Sequence, residues 1–160
     1  MIENTVNAIV KTRLQCIFLW PNIDAGANFI SKKLRSIQQK LNNDLKLNFY
    51  KNFKNDDYYR LIKNSCCLVG NSSSGIRESS YLGVPVVNIG SRQNNRERGN
   101  NVFDVKNDSN QIYKGILAQS KKKFKIQNIY GYGNSCDKII NILVSKKLDI
   151  NKKFFNIKIK

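Results

Sequence analysis

Apolar positions recur along this chain at two spacings. In VNAIVKTR they fall at helical intervals, which predicts a helix over Glu3–Arg13. CIFLW (Cys16–Trp20) is instead a short unbroken apolar run, as in a buried parallel strand, and Pro21 ends it. The helical interval returns in DAGANFISKKLRSIQQKL, where Phe29, Ile30, Leu34, Ile37 and Leu41 form one apolar face with lysines opposite. LKLNFY (Leu45–Tyr50) predicts a strand. DDYYRLIKN (Asp56–Asn64) predicts a helix whose acidic start suits the positive end of its dipole. CCLVG, GIRESSYLG and PVVNIG read as strand, helix and strand, and NVFDV (Asn101–Val105) as a further short strand. Asp108 or Ser109 is placed to cap a helix reaching about Gln119. Ser135 is placed to cap a last helix over Asn134–Lys147.

Strands and helices thus alternate through short links, which predicts an α/β domain built on a parallel sheet with flanking helices. The expected division is one domain over residues 1–147 and a basic tail over 148–160. In open α/β sheets ligands sit beyond the carboxyl ends of the strands. The two exits that matter are therefore VGNSSSG and NIGSRQ. The second continues into the polar loop GSRQNNRERGN (Gly90–Asn100), where Arg96 and Arg98 read as solvated charges or as phosphate contacts. Asp24 reads as a helix start or as a ligand. Phe49, Tyr50, Phe53, Tyr58 and Tyr59 read as core residues, with Phe53, in a loop near a strand exit, open to a base-stacking role.

Composition narrows the function. The chain has 160 residues, 41% of them hydrophobic, enough for a real core. No apolar run approaches a membrane span and no signal-like segment opens the chain, so a cytoplasmic protein is expected. Its four cysteines fit that, and Cys16 with the adjacent Cys66 and Cys67, all in apolar runs, read as small core residues in a reducing compartment. There is no histidine, which removes the commonest general base and the commonest metal ligand. No metal or cofactor is expected. The net charge of +17 admits a nucleic-acid partner. Scattered lysines, abundant together with Asn and Ile, fit a base-composition bias better.

VGNSSSGIRE offers more specific chemistry. A strand ends, the chain turns at Gly70, and a helix is expected to begin near Ser74 or Gly75. Small serines at a helix start let an anion approach the backbone and add hydroxyl donors. No Lys-Ser/Thr follows the glycine, so this is not a Walker loop. Glu78, three residues past Gly75, could accept hydrogen bonds from a vicinal diol such as a ribose. The plainer alternative is that Ser72–Ser74 only cap the helix and Glu78 lies on its surface.

VGNSSSGIRE followed by LGVPVVNIGSRQNNRERGNNVFDV resembles the hydrolysing UDP-N-acetylglucosamine 2-epimerases, including those of bacterial sialic-acid and legionaminic-acid pathways. LWPNIDAG (Leu19–Gly26) and IYGYGNSCDKIINIL (Ile129–Leu143) agree with that family in order and spacing, so the resemblance covers about Glu3 to Leu143. It implies the second, C-terminal Rossmann-like domain of a two-domain GT-B fold, with a UDP-sugar, UDP-N-acetylglucosamine, in the cleft. By the same resemblance Ser72 and Ser73 contact the diphosphate, Glu78 holds the ribose, Arg92 belongs to the nucleotide site and Asn22 lines the substrate pocket. The implied reaction eliminates UDP across C1–C2 and adds water, yielding N-acetylmannosamine.

The departures are equally specific. The family's acidic catalytic residues belong to its first half, and a catalytic histidine to a His-Pro segment just ahead of the part that this chain resembles. No catalytic residue is therefore expected here, and a separate N-terminal half is the expected partner. Tyr132 replaces the usual aspartate of the late motif, and Lys51-Asn52 stands where some relatives have Lys-His. The expectation is a truncated or split enzyme, inactive alone. A non-catalytic UDP-sugar-binding module or a gene remnant, and more distantly a basic nucleic-acid-binding domain, are the alternatives.

Overall fold

Cys16–Leu19 (β1) pairs in parallel with Leu47–Tyr50 (β2), from Cys16 opposite Leu47 to Leu19 opposite Tyr50. A second parallel ladder holds Leu68–Gly70 (β3), Val86–Ile89 (β4) and Val102–Val105 (β5), with β4 in the middle. The helices are Ile2–Thr12 (α1), Ala27–Lys40 (α2), Asn55–Asn64 (α3), Glu78–Leu82 (α4), Ser109–Gln119 (α5) and Ser135–Ser145 (α6). This computed structural model describes residues 1–21, 26–41, 46–146 and 151. The chain divides into two units, Met1–Ile129 and Tyr130–Lys160, and α6 is the described helix of the second.

Within the first unit the expected parallel sheet is present as two ladders that share one core. Phe18 of β1 packs in the same buried cluster as Val87 and Ile89 of β4, together with Ile9 of α1, Leu34 of α2 and Ile112 of α5. All four residues of β4 are buried, which explains why PVVNIG is apolar without alternation. Two glycines let the covering elements close on it. A Cβ on Gly115 of α5 would lie 3.3 Å from Val87 Cγ1, and one on Gly75 would lie 3.1 Å from Val86 Cγ1. β4 is therefore covered on both faces.

Polar side chains complete this core. Asn101, fully buried, donates from Nδ2 to the Val84 carbonyl (2.7 Å) and to Ser79 Oγ (3.1 Å). Gln119 donates to the carbonyls of Val86 (3.1 Å) and Asn101 (3.2 Å). Both tie buried backbone or hydroxyl groups of neighbouring elements together. On the outside α1 packs along α5, with Asn4 Nδ2 donating to the Asn107 carbonyl at 2.9 Å.

Several local expectations change. Asp108 is the cap of α5, accepting from the Gln111 N–H at 2.9 Å, and Ser109 is the first helical residue. Ser135 likewise begins α6 rather than capping it; Asn134 holds the cap position without a side-chain bond. Phe49 stacks on Phe18 at 5.0 Å and belongs to the core, but Tyr50 and Tyr59 are exposed. Tyr50 follows Phe49 in β2 and so points to the opposite face, where it meets Phe53 at 5.0 Å. Cys16 and Cys67 are half-buried, and burial pushes both thiols up to about 12. Cys66 is exposed rather than a core residue, and Cys136 is exposed too. Among the described residues no helix is long and apolar enough to cross a membrane.

Candidate functional site

β3 and β4 run side by side, with Gly70 opposite Asn88. Both exits turn through glycine at positive φ, 146° at Gly70 and 78° at Gly90, a region that side chains avoid. The first exit delivers Asn71–Ser74 and the second Ser91–Gln93. Side chains of the second cross to the first. Arg92 Nη1 donates to the Asn71 carbonyl at 3.2 Å, and Gln93 Nε2 donates to the same oxygen at 2.7 Å. The Arg92 guanidinium is thereby held one residue from Ser72.

The helix expected over GIRESSYLG forms in two pieces, a single 3-10 turn at Ser73–Gly75 and the five-residue α4 beginning at Glu78. Ser72 is the cap of the turn, and its Oγ accepts from the Ser74 N–H at 3.3 Å. The Gly75 N–H goes to the Ser72 carbonyl, and those of Ile76 and Arg77 to the Ser73 carbonyl. Ser79 Oγ donates back to the Gly75 carbonyl at 2.7 Å, which helps hold the tight turn against β4. These amides are spent within the turn. For an anion the loop supplies the serine hydroxyls and the nearby Arg92 charge.

Glu78 opens α4 and is half-buried. Its Oε2 is buried with no hydrogen-bond partner. An unmet buried acceptor costs about 1–3 kcal/mol, and a hydroxyl donor would satisfy it. The helix that carries it is fixed from behind, because Ser79 is buried and receives the Asn101 amide.

The structure therefore brings Ser72, Ser73 and Arg92 to one pair of strand ends, with Glu78 at the far end of the same connecting segment. Asn22 and Asp24 lie outside the described residues. Arg96 is exposed, but Arg98 is not a solvated charge. Its Nη1 lies 2.8 Å from both carboxylate oxygens of Asp104, and its Nη2 donates to the Gln93 carbonyl. Gln93 is the residue of this region that sequence reasoning passed over. It is 1% exposed, in a loop whose other letters are polar or glycine and mostly exposed. An amide immediately after the arginine of a strand exit was the available signal. Among the described residues no group of three or more His, Cys, Asp or Glu side chains gathers to hold a metal.

Comparison with known proteins addresses the family and the fold. The family model described as UDP-N-acetylglucosamine 2-epimerase matches residues 1–144. The chain is 34% identical over 155 residues to the UDP-N,N'-diacetylbacillosamine 2-epimerase (hydrolyzing) of Legionella pneumophila, covering 96% of this chain and 40% of that protein. It is 38% identical over 125 residues to the polysialic acid biosynthesis protein P7 of Escherichia coli, covering 77% and 31% respectively. Among solved structures, the UDP-GlcNAc 2-epimerase of Methanocaldococcus jannaschii in complex with UDP-GlcNAc and UDP superposes with a TM-score of 0.70 at 21% identity. That match covers 91% of this chain and 40% of the other, so this Rossmann-like α/β fold corresponds to one part of a longer GT-B protein. The chain spans less than half the length of these relatives, and within those limits it belongs to the UDP-N-acetylglucosamine 2-epimerase family.

Proposed function

We propose that this chain is the nucleotide-holding half of a hydrolysing UDP-N-acetylglucosamine 2-epimerase, and that it binds the UDP portion of the substrate. One observation carries the reading: Arg92 is tied to the carbonyl next to Ser72, so a cation and the serine hydroxyls share one pair of strand ends. In the proposed complex Ser72 and Ser73 donate to the diphosphate, Arg92 offsets its charge, and Glu78 accepts from the ribose hydroxyls. The unpartnered Oε2 supports that last role.

For chemistry, this half acts on the leaving group. As the C1–O bond breaks, negative charge grows on the terminal phosphate, and a fixed cation beside it lowers the barrier. Proton removal and return at the sugar are assigned to the other half of a full-length enzyme, since this chain has no histidine. The products are N-acetylmannosamine and UDP, and this chain is inactive alone.

The test is titration of the purified chain with UDP and with uridine. Arg92→Ala is expected to weaken UDP more than uridine, because a neutral nucleoside gains little from a cation. Ser72→Ala is expected to cost less than Glu78→Ala. UDP release from UDP-N-acetylglucosamine is expected only when a first-half domain is supplied. Equal UDP binding by the parent, Glu78→Ala and Arg92→Ala would reduce the serine loop to a helix cap.

A further inference from the structure

We propose that Arg98, Gln93 and Asp104 are positioning residues of the UDP site: together they lock the β3 exit, with its serines, to the β4 exit, with Arg92. This rests on the UDP-binding reading above. The linkage starts in the sheet, where Asp104 of β5 stands opposite Asn88 of β4. Buried Asn88 donates from Nδ2 to Asp104 Oδ1 at 2.7 Å. Asp104 in turn holds Arg98 Nη1 with both oxygens at 2.8 Å. Arg98 spends Nη2 on the Gln93 carbonyl, and Gln93 spends Nε2 on the Asn71 carbonyl at 2.7 Å. An unbroken set of polar contacts therefore runs from the middle of the sheet to the residue before Ser72.

Three features separate this from ordinary stabilisation. First, Asp104 is more than half exposed, so water screens the ion pair on that side even though Arg98 itself is mostly buried. Second, the loop it enters, GSRQNNRERGN, has no apolar side chain to anchor it, so Arg98 and buried Gln93 supply the order that packing does not. Third, Gln93 Oε1 is buried without a partner. A buried amide with one end unmet is a poor device for stability, yet its other end reaches the carbonyl that Arg92 also contacts. Gln93 thus sets where Asn71, and with it Ser72, stands relative to Arg92. The Arg98 guanidinium is the part that cannot be exchanged for a simple ammonium, because its fork reaches Asp104 and the Gln93 carbonyl together.

The experiment uses the full chain, ¹⁵N-labelled, with UDP as the probe. Arg98→Met is expected to shift the amide resonances of Asn71–Ser74 while moving the thermal midpoint by less than about 4 °C, the shift expected for about 1 kcal/mol in a chain of this size. UDP affinity is expected to fall about ten-fold. Arg98→Lys, the milder change, keeps the charge but loses the fork, and should shift the same amides and lose affinity in the same direction. In an Arg92→Ala chain, Arg98→Met should add less than its full ten-fold loss, since part of its effect is the spacing between the serines and Arg92. If the parent binds UDP but the Asn71–Ser74 amides stay in place, or the losses from Arg98→Met and Arg92→Ala multiply, the positioning role is overturned. If the parent chain does not bind UDP at all, the nucleotide reading itself falls and takes the role with it.

Discussion

Glu78→Gln keeps the shape of the side chain and removes its charge, so it sets two effects against each other. In the free chain Oε2 is buried without a hydrogen-bond partner, which costs about 1–3 kcal/mol. Neutralising the group recovers part of that. Against it stands the loss of an acid in the first turn of α4, worth about 0.3–1 kcal/mol. The balance is an unchanged or higher stability, by about 0–1 kcal/mol, or a midpoint raised by about 0–4 °C for a chain of this size. Binding should move the other way. A carboxylate on a ribose diol accepts charged hydrogen bonds worth about 1.5–3 kcal/mol each. Glutamine keeps one acceptor and turns the other into a donor, so roughly one such bond is lost and UDP binds about ten- to a hundred-fold more weakly. Uridine should weaken by the same factor, because the diol belongs to the ribose. Circular-dichroism melts and calorimetric titrations read the two quantities. A glutamate that only supports the helix would give the reverse. A midpoint lowered by more than about 4 °C with UDP affinity unchanged would refute the assignment.

Asn101→Ala strips the Val84 carbonyl of its buried donor and leaves a small void, so a loss of about 2–4 kcal/mol is expected, read by urea denaturation. Thiol labelling should divide the cysteines. At pH 8 exposed Cys66 and Cys136 react first, whereas Cys16 and Cys67, pushed up to about 12 by burial, hold roughly 10⁻⁴ of their thiol as thiolate and wait for unfolding or higher pH. Equal rates at all four positions would contradict that burial. Labelled oligonucleotides should bind weakly and without sequence preference, at about 10⁻⁴–10⁻⁶ M in physiological salt, and sub-nanomolar selective binding would restore the nucleic-acid reading.

Apolar spacing was enough to identify most elements, because β1 and β4 carry unbroken runs and α1 a helical one. It overstated α2, where Leu34 is buried but Phe29 is 73% exposed. GIRESSYLG has a helical look in isolation. Its division into a 3-10 turn and a short helix accompanies the close approach of Gly75 to Val86, which a local pattern cannot show. Ser72–Ser74 and Glu78 were legible as candidates because strand exits are where ligands are sought, and the family resemblance singled out Ser72, Ser73, Glu78 and Arg92 for the nucleotide. Gln93, Asn101 and Gln119 were not, and Arg98 was singled out only as a solvated charge or a phosphate contact. Each is a polar letter whose partner is set by folding, as when Gln119 reaches the Val86 carbonyl 33 residues earlier. A buried amide and a solvated one look the same until the chain is folded.

The packing of α1 on α5 has a consequence in time. Asn4 and Asn107, joined there, are 103 residues apart, whereas β3, the 3-10 turn, α4, β4 and β5 all lie within residues 68–105. Closing a long loop costs entropy before its contacts repay it, so the nearer contacts are expected to gather first and the N-terminal helix to dock late, an order that stopped-flow refolding of an Asn4→Ala chain would read. A late-docking element has little influence on the folding rate and a large one on how long the native state survives. The first helix is thus a latch: its grip on α5 governs the lifetime of the folded chain more than the speed with which it forms.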